Sequence, residues 1–140
     1  MPVTESLLLD THVWIWLMED SAQLNAALVE RIDLAAQNHR LFVSAISVWE
    51  IATLASKGRL RFPVPVEHWV EAALRQPGLR LIPLHPAISI ESAYLPNLHG
   101  DPADRILVAS ARLEKLRLVT RDRRILEWTS QFGLVHVLPA

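Results

Sequence analysis

Short apolar runs alternating with helical stretches predict an α/β fold with a mainly parallel sheet. Five runs read as strands because each is too brief for a helix: Ser6–Leu9, Leu41–Val43, Leu79–Ile82, Leu116–Thr120 and Leu134–Leu138. The segments between them carry apolar residues at helical spacing, as in Leu24, Leu28, Ile32 and Ala35. At 140 residues the chain has the length of one domain, and no linker, repeat or low-complexity stretch divides it.

In chain order, the first strand ends at Asp10 and Thr11–Met18 follows as a short helix. Ser21–Asn38 reads as the second helix. After strand two, Ser44 fits a cap and Ile46–Ser56 a third helix, closed by Lys57-Gly58 with glycine at C′. Phe62–Pro65 is a turn, and Glu67–Arg75 is helical until Gln76-Pro77-Gly78 stops it. Strand three is followed by a helix over Ala87–Tyr94, begun by Pro86. The stretch His99–Ala111 opens the next helix, with Asp101 at the N-cap, Pro102 at the first helical position and Asp104 at the third. Strand four leads into a helix over Asp122–Ser130 before the last strand.

Composition removes several function classes. The chain has no cysteine, which excludes disulfides, thiolate metal sites and a Cys nucleophile. No apolar run reaches the roughly 18 residues that span a bilayer. The residues up to Asp10 lack the basic start and cleavage site of a signal peptide, so a cytoplasmic protein is the expectation. Its apolar content of 51% and mean hydropathy of +0.21 are high enough that a partner is expected to cover some of the surface. The net charge of −1 gives no direct reason to expect an anionic ligand. However, with four carboxylates neutralised by a cation, 11 would stand against 14 basic residues.

In parallel sheets, functional groups gather beyond the carboxyl ends of the strands. There this sequence offers Asp10-Thr11 after strand one and Thr120-Arg121-Asp122 after strand four. Glu50 lies one to two turns into the helix after strand two, and Asp104 heads the helix before strand four. Four carboxylates brought together are costly unless a cation binds between them, and all-oxygen ligation points to Mg²⁺ or Mn²⁺. Each acid also has a purely structural reading. Asp10, Asp101, Asp104 and Asp122 can cap helices, and Ser47 with Glu50 forms the spacing of a capping box. Their common location at one end of the predicted sheet argues against independent caps. Arg105 and Arg121, each beside one of these acids, are candidates for phosphate contact or for orienting the acids, with surface salt bridges as the alternative. Lys57, Arg59 and Arg61 could track an RNA backbone or be plain solvated surface. His12 and His99 are expected to pack or to hydrogen-bond near the site. Trp14, Trp16, Trp49 and Trp69 could stack on bases, but core or interface roles come first. Trp14 and Trp16 cannot share one helix face, so one of them is a candidate for a partner contact.

The segments LLLDTHVWIW, SAISVWEIATLASKGRL, HGDPADRILVASA and LVTRD, in this order and at these separations, resemble the PIN-domain ribonucleases. More closely, they resemble the VapC-type toxins of bacterial toxin–antitoxin pairs. The resemblance covers nearly the whole chain and implies a three-layer α/β/α sandwich with sheet order 3-2-1-4-5. It further implies an acidic cluster that binds Mg²⁺ or Mn²⁺ and hydrolyses RNA phosphodiesters, as an endoribonuclease. Carried over by motif, Asp10, Glu50, Asp104 and Asp122 are its catalytic and metal-binding acids. Asp10 and Asp104 would be the direct ligands, with Thr11 and Thr120 as supporting hydroxyls; no acid of the set is missing. Asp101 would support Asp104 as a cap. A VapB-type antitoxin whose peptide covers the active site and a homodimer are also implied.

The rival α/β enzymes fit less well. A haloacid-dehalogenase phosphatase needs a second Asp two residues after the first, where His12 stands. A phosphorelay receiver needs paired acids after strand one, but Leu9 precedes Asp10. A nucleotide-binding fold needs a Gly-rich loop, which the four glycines do not form. The non-enzymatic alternative is a PIN-like module that binds RNA or protein without cutting.

Overall fold

A computed structural model describes residues 5–133 and 135–140. Five strands, β1 (Leu7–Leu9), β2 (Leu41–Ser44), β3 (Leu79–Ile82), β4 (Arg117–Thr120) and β5 (Val137–Pro139), form one sheet in the order β3-β2-β1-β4-β5. Every neighbouring pair is parallel, with Leu7 set opposite both Leu41 and Arg117. Seven helices complete the described residues: α1 (Thr11–Met18), α2 (Ala26–Gln37), α3 (Ala45–Ser56), α4 (Val66–Leu74), α5 (Pro86–Tyr94), α6 (Pro102–Leu113) and α7 (Arg123–Phe132). The α/β fold, the parallel sheet and its order are those the sequence led us to expect.

The central strand β1 is wholly buried, and its alternation sorts the core into two halves. Leu7 and Leu9 face a cluster with Val13 and Trp14 of α1, Leu28 and Ile32 of α2, Ile51 of α3 and Ala73 of α4. Leu8 faces the opposite cluster, with Ile88 of α5, Leu107 and Val108 of α6 and Ile125 and Trp128 of α7. Helices thus cover both faces of the sheet, as a buried parallel sheet requires. Among the described residues no helix is long and apolar enough to cross a membrane.

The structure differs from the sequence expectation at several points. The second helix starts at Ala26, not Ser21, because the Asn25 side chain caps it, accepting from the Leu28 N–H at 2.8 Å. Ser47 and Glu50 form no capping box. Ser44 is the N-cap of α3, accepting from the Ile46 N–H, and Ser47 is already the third helical residue. The last strand runs over Val137–Pro139, so the expected strand over Leu134–Leu138 starts later and ends one residue further on. Its first expected residue, Leu134, lies outside the described residues. Pro139 is tolerated because β5 is an edge strand. At one junction only glycine fits. Gly78, entering β3, has φ +82°, and a Cβ there would stand 1.8 Å from the Ala36 carbonyl oxygen of α2.

Candidate active site

A cleft of about 430 Å³ opens at the carboxyl end of the sheet, lined by Asp10, Glu50, Asp101, Asp104 and Asp122 together with His12, Val13, Trp16, Arg121 and Arg124. The fold gathers these acids because four helices, α1, α3, α6 and α7, begin at this end of the molecule. Three of the acids are the caps that start helices, Asp10 for α1, Asp101 for α6 and Asp122 for α7. The capping and clustering readings of the sequence therefore hold together.

Asp10 follows β1 directly and is buried. Its Oδ1 accepts from the His12 N–H at 3.1 Å, and its Oδ2 accepts from the Thr120 hydroxyl at 2.6 Å. The same Thr120 oxygen accepts from the Asp122 N–H at 3.0 Å, so one buried hydroxyl ties the ends of β1 and β4 together. Thr11 donates to Ser47 Oγ at 2.8 Å, a buried bond that fixes α1 against α3 and so helps place Glu50. Asp101 Oδ1 accepts from the Asp104 N–H at 3.1 Å, and Pro102 occupies the first helical position. Asp104 is buried, and its Oδ2 lies 2.7 Å from His99 Nε2. Asp122 Oδ1 accepts from the N–H groups of Arg124 and Ile125.

The electrostatics of the cleft favour a cation. Burial pushes the Asp10 carboxyl above its ordinary range, opposed by the Thr120 hydroxyl and the His12 N–H. Burial also raises Glu50, against the Thr11 hydroxyl, and the charges of Asp10 and Asp101 add to the rise. Asp104 is pushed up to about 6, first by burial and then by Asp101, Asp122 and Asp10, with His99 acting the other way. Three raised acids in one cleft mean that negative charge is under-compensated by the protein. The donors match that need: one ligand atom each from His99, Asp104 and Asp122 lie within 4.8 Å of one another. A hard divalent ion is the group that this oxygen-rich donor set fits.

The basic candidates divide. Arg121 reaches the cleft, its guanidinium 4.6 Å above the Trp16 ring. Arg105 does not line the cleft, contrary to the phosphate contact expected for it. Its guanidinium donates to the carbonyls of Ser92, Ala93, Leu95, Leu98 and His99, which pins the loop between α5 and α6 to α6 itself. Lys57, Arg59 and Arg61 are exposed beyond the far end of α3 and do not line the cleft either. Of the tryptophans, Trp14 is fully buried and edge-on to Trp69, Trp16 is half-buried, and Trp49 is 55% exposed.

Sequence reasoning gave too little weight to His99 and Arg124. His99 hydrogen-bonds as expected of it, but to a cleft acid. Its place beside Asp104 depends on the loop folding back over α6, which no local spacing encodes. Arg124 Nη2 lies 3.9 Å from both Asp104 Oδ2 and Asp122 Oδ2. Two residues after the Asp122 cap, it stands in the first turn of α7, and that register was a usable signal.

The PIN domain family model matches residues 7–128. Ribonuclease VapC22 of Mycobacterium tuberculosis is 35% identical over 121 residues, covering 86% of this chain and 89% of that protein. Among solved structures, VapBC2 from Rickettsia felis, bound to a DNA fragment from its promoter, superposes with a TM-score of 0.70 at 15% identity, over 95% of this chain and 97% of the other. DNA-bound VapBC from Salmonella typhimurium gives 0.69 at 16% identity, over 96% and 98%. The chain belongs to the PIN-domain family, among the VapC-type ribonuclease toxins.

Proposed function

We propose that this protein is a metal-dependent endoribonuclease, using Mg²⁺ or Mn²⁺ to hydrolyse phosphodiester bonds of RNA, and that it is the toxin of a cytoplasmic toxin–antitoxin pair. The observation that carries the reading is the convergence of Asp10, Glu50, Asp104 and Asp122 in one cleft with three of them raised. Asp10 and Asp104 would hold the ion directly, with Asp122 and Glu50 completing the set. The ion would supply charge neutralisation at the phosphate and a more acidic attacking water.

The chain's own residues do the positioning. Thr120 fixes the rotamer of Asp10, and Asp101 starts the helix turn that aims Asp104. His99 orients the Asp104 carboxylate, and Arg124, whose side chain is 62% exposed, is free to swing from the acids to a phosphate oxygen. Lys57 and Arg59 can reach only a strand that extends beyond the cleft. The similar VapBC structures are toxin–antitoxin complexes, which supports a VapB-type antitoxin as partner. The exposed apolar side chains Trp49, Ile90 and Tyr94 leave surface for that partner or for a second copy.

The deciding experiment is cleavage of total tRNA and ribosomal RNA by the purified protein. Cleavage should require Mg²⁺ or Mn²⁺, stop with EDTA and vanish in Asp10→Asn. Activity that survives EDTA, or is unchanged in Asp10→Asn, would overturn the assignment. Tight RNA binding without cleavage of any RNA would instead indicate a binding module.

A further inference from the structure

One wall of the cleft takes no part in holding a cation. His12 and Trp16, four residues apart on α1, share a helix face with ring centroids 6.0 Å apart, and the Arg121 guanidinium lies over the indole at 4.6 Å. The edge of that guanidinium is largely committed. Its Nε donates to the Ala140 carbonyl at 3.2 Å, its Nη1 to Gln23 Oε1 at 2.8 Å, and its Nη2 to the Gln23 carbonyl. A guanidinium used in this way has few N–H groups left to fork onto a phosphate. One flat face of it lies against the half-buried Trp16 indole, and the opposite face is what remains for a ligand in the cavity that also contains the acids.

We propose that His12, Trp16 and Arg121 form a stacking shelf for one unpaired nucleobase next to the scissile phosphate. The inference rests on the RNA-cleaving function proposed above. A nucleotide is the ligand that carries both an anion for cation-loaded carboxylates and a flat π face one sugar away. Aromatic rings and guanidinium planes are the surfaces on which splayed RNA bases stack.

The test compares a fluorescein-labelled single-stranded RNA octamer of mixed sequence with a base-free ribose–phosphate strand of the same length. Binding is followed by anisotropy, with Ca²⁺ screening the carboxylates. The wild type should bind the base-bearing strand more tightly by about 5- to 150-fold, the range for stacking one base. Trp16→Leu, which keeps apolar bulk, and Arg121→Lys, which keeps the charge, should each remove most of that preference while leaving affinity for the base-free strand unchanged. Thermal unfolding checks that both variants fold, and if Trp16→Leu does not, Arg121→Lys decides alone. Equal binding of the two strands by the wild type, no RNA binding at all, or an undiminished preference in Arg121→Lys would overturn the shelf. Failure to cleave RNA in Mg²⁺ or Mn²⁺ with the binding preference intact would overturn the nuclease assignment and leave the shelf standing.

Discussion

Asp101 and Asp104 sit three residues apart at one helix start, yet their environments divide their work. Asp101 satisfies a backbone N–H, whereas Asp104 is buried beside His99 with its charge only partly compensated. Asp104→Asn should therefore abolish cleavage while leaving the metal-free protein at least as stable as the wild type, since it removes a carboxylate that burial disfavours. Asp101→Ala should cost about 1 kcal/mol, as for other lost caps, and reduce cleavage only in part. Paired measurements of unfolding and cleavage would show whether these roles are reversed. Thr120 allows a sharper test. Thr120→Val leaves Asp10 and the Asp122 N–H without their shared partner, and cleavage or metal affinity should fall by roughly 10- to 100-fold, as for other groups that orient metal ligands. Thr120→Ser should retain most of both.

At the scale of elements, α6 anchors the active-site loop as well as presenting an acid. Arg105 holds five carbonyls between Ser92 and His99, and a lysine has no planar fork to replace that pattern. Arg105→Lys should lose about 2–3 kcal/mol of stability, on the order of one or two charged hydrogen bonds. It should also lower cleavage by releasing His99 from Asp104. If unfolding and activity are both unchanged, the clamp is incidental. Only part of this was legible in the sequence. The strands, the caps Asp10, Asp101 and Asp122 and the Pro102 start follow from local chemistry, because a cap is read within three residues. The role of Arg105 depends on where a loop returns, and adjacency to Asp104 suggested the wrong neighbour. The start of α2 was misjudged because Ser21 and Asn25 are both competent caps, and only packing selects between them.

For the whole molecule, the raised acids link stability to pH and to metal. The Asp104 pKa rises from 3.8 to about 6 on folding. Between about pH 4 and 6 the folded chain then binds more protons than the unfolded chain, so stability falls as pH rises through that window. A divalent ion offsets the repulsion, but protons compete with it. Mg²⁺ or Mn²⁺ should therefore raise the Tm more near pH 7.5 than near pH 5, and EDTA should reverse the gain. An equal shift at both pH values would place the ion away from these acids. Convergence of the acids was legible because parallel strands send their carboxyl ends to one edge, whereas the strand order was expected only from the family resemblance. Which side chains meet these acids was less legible, since His99 reaches Asp104 only through the path of the loop before α6, while the register of Arg124 beside the Asp122 cap was a signal left unused.

The acids of the cleft stand at or near the starts of α1, α3, α6 and α7. A helix start carries roughly half a positive charge from its aligned peptide units. The backbone therefore already supplies part of the counter-charge that an ion would complete. On the metal-dependent reaction proposed above, folding need not wait for metal: the chain would reach its final shape with the cleft inert, and activity would begin when an ion and a substrate arrive together.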